Sequence, residues 1–367
     1  MRYRSCRAGI LGFILIAATA DQSLFAQVQP ADSGPSFRQL LEKAASFSPN
    51  LCGPPDEATP DPADSALDLA AELVQENLNR NADRPALEAA RETLAALQRV
   101  SGEVLAKWFE GERFRFTVLD LLPILVVKIG LRSHETFFVF GLEGGPRNAW
   151  RRISSIEGAK SGPNTSLELY PLQRGPSRRP RFLARFATSG CIGAPYLSYS
   201  AYEWRGDVGD IVRIIGQAGA WGHPDEVPDF MEKLRTEGPA ISLPYCWFSP
   251  VDVGNRPSLC GVDTYDVSGD KVKFRDHQYL QPDLAALAKA IEHAEQRDYP
   301  AVLGYCANSQ VARKLVSEIP PGFVAIDIQM THTAPGKEDV EFGFEHNYRF
   351  DLEDRDGRWL IVGFSSK

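Results

Sequence analysis

The sequence predicts an α+β fold, and three observations predict it. Apolar residues recur every three or four positions between about 65 and 111. From about Arg113 the period becomes two, and after about 281 a helical stretch returns, followed by further alternating segments. These periods describe an N-terminal helical hairpin, a central antiparallel β domain of sandwich-like or barrel-like type, and a C-terminal helix-plus-antiparallel-sheet unit. The expected divisions are a signal peptide over 1–20 with an alternative end at 26, a short helix and Pro/Asp-rich linker over 21–64, the hairpin over 65–111, the β domain over 112–281 and the C-terminal α+β unit over 282–367.

The start of the chain, MRYRSCR followed by AGILGFILIAATA, has the positive region, apolar run and small-x-small end of a secretory signal peptide. The apolar run is shorter than the ~20 residues a spanning helix needs. Cys6 precedes it, so Cys6 is not the acylated cysteine of a lipoprotein. LLPILVVKIGL, interrupted by Pro123, Lys128 and Gly130, is no span either. The expectation is therefore a secreted or periplasmic protein without a transmembrane helix in its mature chain. Loss of three arginines with residues 1–20 takes the formal charge from −8 to −11, and cleavage after Ala26 gives −10. Such an acidic chain argues against general nucleic-acid binding.

SFRQLLEKAASFS predicts a short helix, and NLCGPPDEATPDPADS a linker. In the hairpin, Ala66, Leu69 and Leu73 share one helical face, and Leu87, Ala90, Leu94, Leu97, Val104 and Trp108 another. Pro85 stands at the expected first position of the second helix. RFRFTV, ETFFVFGLE, AWRRISSI, SLELYPL, RFLARFAT, YLSYSAYEW, AISLPYCWFS, GVDTYDV and KVKFRDHQYL then read as strands, with VDTYDV-SGD-KVKF the clearest hairpin. PDLAALAKAIEHAEQRD is helical. A second helix follows Tyr299, broken near Asn308, and three strands close the chain, the last after a DRDG turn.

Export makes disulfides available. Five cysteines remain after cleavage: Cys52, Cys191, Cys246, Cys260 and Cys306. Cys246 and Cys260 bracket a turn-rich loop holding Pro250, Gly254, Asn255 and Pro257, which predicts a cross-strand bridge worth ~3 kcal/mol on the chain-entropy model. A metal reading fails there, because no C-x-x-C occurs and no histidine lies between the two.

The chain lacks G-x-S-x-G, H-E-x-x-H, a P-loop and G-x-G-x-x-G, so no cofactor and no metal site are expected. DLEDRDGRW fails as a calcium loop, since Leu352 and Gly363 fall at ligand positions. The six histidines show no ligand spacing. Asp252, Asp263, Asp266 and His277 are the candidate catalytic group, with Asp270 and Asp276 nearby. Two carboxylates converging there would serve as acid and base. Against that, strand parity sets Asp263 and Asp266 on opposite faces, and aspartate beside a tight turn is ordinary turn chemistry.

Two candidate binding features remain. Tyr202 and Trp204 share a strand face, which suits sugar stacking if exposed and core packing if buried. Nine basic residues against two acidic ones lie between Arg147 and Arg185, and Arg174, Arg178, Arg179 and Arg181 crowd the loop QRGPSRRPR. That loop is expected at the surface, facing an anionic polymer or an acidic protein surface, or else the chain's own acidic segments. Two function classes follow: a non-catalytic binding or envelope-associated protein recognising a polymer or protein surface, and a secreted hydrolase using carboxylates near Asp252–His277.

Overall fold

A computed structural model describes residues 36–46, 61–107, 114–131, 134–143, 149–157, 166–189, 195–206, 211–221, 236, 238–247, 259–323, 327–343 and 348–366. The signal peptide, most of the linker with Cys52, Cys191 and the loop holding Asp252 lie outside them. Within them are six helices and fifteen strands in four antiparallel sheets, an α+β architecture as the periods predict.

The N-terminal helices are α1 (Phe37–Ser46), α2 (Pro62–Arg80) and α3 (Ala86–Leu105). Asp61 caps α2 by accepting from the Ala63 N–H at 2.8 Å, with Pro62 following it at the helix start. Pro85 is the N-cap of α3, with ψ 123°, rather than its first helical residue. Most of the stripe read from the sequence is core, although Leu69 and Leu87 are half-buried and Trp108 lies outside the described residues. Leu73, Ala90, Leu94, Leu97 and Val104 pack with Leu41 of α1 against one face of the first sheet, through Leu125, Val127, Ile129, Phe138 and Phe140.

That first sheet is the meander β1 (Arg115–Leu121), β2 (Ile124–Leu131), β3 (His134–Glu143) and β4 (Ala149–Glu157). Its other face, through Ile124, Val126, Phe137 and Val139, meets a second meander. This is β5 (Ser166–Leu172), β6 (Arg181–Ser189), β7 (Pro195–Trp204) and β8 (Ile211–Trp221). A buried carboxylate joins the two sheets: Glu135 accepts from the Leu167 N–H and lies 3.2 Å from Arg115 and 3.6 Å from Lys128. The far face of the second sheet buries Leu172, Leu183, Tyr199, Ala201 and Ile215 against Ile241, Leu243 and Val267. Ile241 and Leu243 belong to the third sheet, β9 (Ala240–Trp247), β10 (Leu259–Asp266) and β11 (Lys273–Tyr279), ordered β11-β10-β9. Sheets stacked face to face over side-chain cores make the β region sandwich-like rather than a closed barrel.

In the C-terminal unit, α4 (Pro282–Glu295), α5 (Tyr299–Leu303) and α6 (Ser309–Glu318) pack on a fourth meander. Its strands are β12 (Asp327–Ala334), β13 (Lys337–Gly343), β14 (Tyr348–Arg355) and β15 (Arg358–Ser366). The break near Asn308 is a true helix start, where the Asn308 side chain accepts from Gln310 and Val311. The sequence reading of three closing strands is corrected to four, because the segment read as one long strand is β13 and β14.

Candidate functional site

The third sheet carries both features that raised the question of chemistry. Cys246 and Cys260 stand opposite each other on β9 and β10 and are bonded, with Cα atoms 4.0 Å apart. Further along β10, Asp263 faces His277 across β11. Asp263 is buried, and its Oδ1 lies 2.6 Å from His277 Nδ1. Gly261 makes room for this pair: a Cβ there would come within 2.8 Å of the imidazole Cε1 and 2.9 Å of Nε2. The Tyr279 ring stands edge-on to the imidazole at 4.3 Å, and the Tyr265 hydroxyl reaches toward Asp263 Oδ2 at 3.4 Å. Burial and the Asp263 charge push the Tyr265 hydroxyl up to about 12. A carboxylate at Nδ1 orients the ring, as in acid–base sites.

Asp266, of the same expected group, does not join it. Asp266 is at the hairpin turn, accepting from the Ser268 N–H and hydroxyl and from Arg275. The Ser268 hydrogen bonds, with Arg275, bring its carboxyl down to about 2. Asp252 is outside the described residues. Among the described residues, no three His, Cys, Asp or Glu side chains are grouped so as to hold a metal.

The arginine loop and the aspartate turn, noted separately in the sequence, meet each other. Arg181 opens β6 fully buried, correcting its place on the surface. Its Nε donates to Glu203 Oε2 at 2.7 Å. Its two terminal nitrogens donate to the Val267, Gly269 and Asp270 carbonyls at 2.8–2.9 Å. The Ser177 N–H donates to Asp270 Oδ1 at 2.8 Å, and this bond, with Arg181 and Arg179 nearby, lowers the Asp270 carboxyl below its ordinary range. Gly175 has no space for a side chain, since a Cβ would lie 2.6 Å from the Gly269 carbonyl oxygen. Arg174 reaches the other way and donates to the Leu121 and Leu122 carbonyls at 3.0 and 2.9 Å. The loop therefore ties the second sheet to the first and third.

Charge is left over. Glu203, buried, accepts Arg181 and also has Arg179 NH1 at 3.5 Å and Arg205 Nε at 3.4 Å. Three guanidinium groups share this carboxylate, and the outer two are about half exposed, at 44% and 50%. Arg178 stands exposed beside them at φ 56°, in the left-handed region.

Tyr202 and Trp204 are buried between the first and second sheets, which removes them from any sugar-stacking surface. Tyr202 stacks on Phe182 at 5.3 Å and meets Phe137 edge-on at 5.8 Å.

Three polar groups escaped the sequence reading. Glu203 has the parity of buried Ala201 and Tyr199, so its inward parity was the available signal. Glu168 accepts from Tyr170 and Arg185, both at 2.5 Å. Burial opposes its ionisation, but Tyr170 and Arg185 outweigh burial and lower its carboxyl, while burial and Glu168 push Tyr170 up to about 12. Glu338 on β13 is buried in line with Val340 and Phe342, facing Asp283 in the first turn of α4. His332 Nδ1 lies 2.8 Å from its Oε1. Burial, then the facing Asp283 carboxyl, pushes Glu338 up to about 8.

Comparison of the chain with protein-family models and with curated proteins gives no match.

Proposed function

We propose that this chain is an exported, non-catalytic binding protein that presents Arg178, Arg179 and Arg205, at the end of its second sheet where β6 begins and β7 finishes, to an anionic polymer or an acidic protein surface. One observation carries the reading: Arg179, Arg181 and Arg205 share the single buried carboxylate of Glu203, leaving exposed guanidinium charge on a rigid support. Planar, weakly hydrated guanidinium groups favour bidentate contact with phosphate, sulfate or carboxylate. The first sequence-derived partner class is kept, with Arg205 taking the place of the buried Arg181. Export rests on the N-terminal sequence and agrees with the Cys246–Cys260 bridge and with the absence, among the described residues, of a helix long and apolar enough to cross a membrane.

Retention on immobilised polyphosphate and polyglutamate, compared between the wild type and Arg178→Ala/Arg179→Ala/Arg205→Ala, tests it. The variant is expected to elute at lower salt, because exposed charges are screened within ~10 Å at 0.1 M ionic strength. Equal elution of both proteins at every salt concentration refutes the proposal. The hydrolase reading keeps one supporting feature, the Asp263–His277 pair. Turnover of an ester or glycoside by the wild type, lost in His277→Gln, would replace the binding reading with it.

A further inference from the structure

The fourth sheet ends on β12, and the composition of that strand differs from the other sheet edges. Strands β1, β4, β8 and β11 carry Arg115, Arg152, Arg213 and Arg275, and β5 and β9 carry Pro171 and Pro244. Such residues keep an edge from pairing with another chain. The β15 edge is covered instead: the Ala307 N–H donates to the Ile361 carbonyl and the Ile361 N–H to the Tyr305 carbonyl, both at 2.9 Å. Strand β12 reads DIQMTHTA, with no lysine, arginine or proline and no carboxylate after Asp327. From Gln329 onward its side chains are exposed.

The open edge also carries an apolar row. Ile328, Met330 and His332 stand opposite Phe342, Val340 and Glu338 and so lie on the inner face of the sheet. Val340 and Phe342 are buried beneath the helices, but Met330 is 44% exposed. Among the described residues, the apolar layer therefore continues onto β12 and loses its cover there.

We propose that β12 pairs antiparallel with β12 of a second copy of this chain, about a two-fold axis through Met330, joining two four-stranded sheets into one. A closed two-fold contact is self-complementary, so the strand must tolerate its own reversed copy. The outward backbone groups of both copies belong to residues of one parity, which restricts directly opposed residues to even separations. The register centred on Met330 sets it against the partner's Met330, Gln329 against the partner's Thr331, and Ile328 against the partner's His332. Like charges oppose each other nowhere in that register. The register centred on Thr331 would leave each Met330 against a histidine. Backbone hydrogen bonds supply the affinity and the Met330 contact covers the exposed apolar row.

Sedimentation of the wild-type mature chain across a wide concentration range is expected to show a doubling of mass. Gln329→Lys/Thr331→Lys places lysines opposite the partner's lysines, while within its own sheet they face Glu341 and Asp339. This variant is expected to stay monomeric and to melt where the wild type melts at concentrations too low for association. Met330→Cys adds a readout that does not depend on its folding. Opposed Cα atoms about 4.5–5.5 Å apart fall within disulfide reach. Mild oxidation is therefore expected to give a dimer crosslinked through residue 330, identified by non-reduced peptide mapping. A wild type that stays monomeric, a dimer that survives the two lysines, or no crosslink through residue 330 would each overturn the proposal.

Discussion

Replacing Glu338 by glutamine tests how a buried carboxyl pair makes the C-terminal unit sensitive to pH. Glu338 lies 5% exposed between the inner face of β13 and the first turn of α4. Its facing titratable groups are Asp283 from α4 and His332 from β12, and its neighbour on β14 is the apolar Leu352. Burial and Asp283 raise its carboxyl from 4.5 to about 8, so between those values the folded chain holds a proton that the unfolded chain has released. Stability from this group is complete below the unfolded value and declines as pH rises through about 8. Every tenfold gain in proton affinity on folding is worth about 1.4 kcal/mol, which sets roughly 5 kcal/mol as an upper bound. About 2–3 kcal/mol is the expected loss, because local relaxation and entering water relieve part of the cost of the buried charge. Glu338→Gln keeps the shape and stays neutral throughout. Hydrogen exchange of β13 and β14 amides, converted to local opening free energies, is the assay. At about pH 3 variant and wild type are expected to agree, and at about pH 9 the variant is expected to be more stable by that 2–3 kcal/mol. Parallel curves for the two proteins from acid to alkaline pH would refute the reasoning.

Two further changes test the connections between sheets. Arg181→Met leaves Glu203 buried with only Arg179 and Arg205 beyond 3.3 Å and removes three donors to the β10–β11 turn. It is expected to cost about 3–5 kcal/mol in urea unfolding, with Arg181→Met/Glu203→Leu recovering part of the loss. A single change costing less than ~1 kcal/mol would show that the pair does not hold the turn. Cys246→Ala/Cys260→Ala opens a ring with a sequence separation of 14 and is expected to lower stability by ~3 kcal/mol. Reductant should bring the wild type to the same level; a wild type unaffected by reductant would count against the bridge.

Where sequence reading of the strands fails, the cause is visible in their burial. β2 escapes a search for alternation because ILVVKIGL scarcely alternates. It lies in the first sheet between the helical core and the second sheet, so both its faces are apolar. β13 and β14 read as one strand because even-numbered residues point inward through both. Val340 and Phe342 precede the reversal, Tyr348, Phe350 and Leu352 follow it, and the period never changes. β8 is interrupted by Gly216 and by register shifts against β7, which blur its alternation.

Periodicity and covalent spacing are local quantities, and the sequence alone determined what depends on them. The helical face of α3, the hairpin of β10 and β11, the bridged cysteines and the outward turn chemistry of Asp266 follow from neighbours a few to fourteen positions apart. Parity also sets Glu203 and Glu338 inward, but it does not say what waits on the other side. Only the tertiary structure decided that Arg181 would meet the carbonyls of Val267, Gly269 and Asp270, 86 to 89 positions away. It likewise decided that Tyr202 and Trp204 would face a second sheet rather than solvent. An arginine or a tryptophan on an alternating strand suits a buried seam or an open surface equally well. Which one it occupies depends on how whole sheets stack, and that is set by the summed burial of many distant residues rather than by any local pattern.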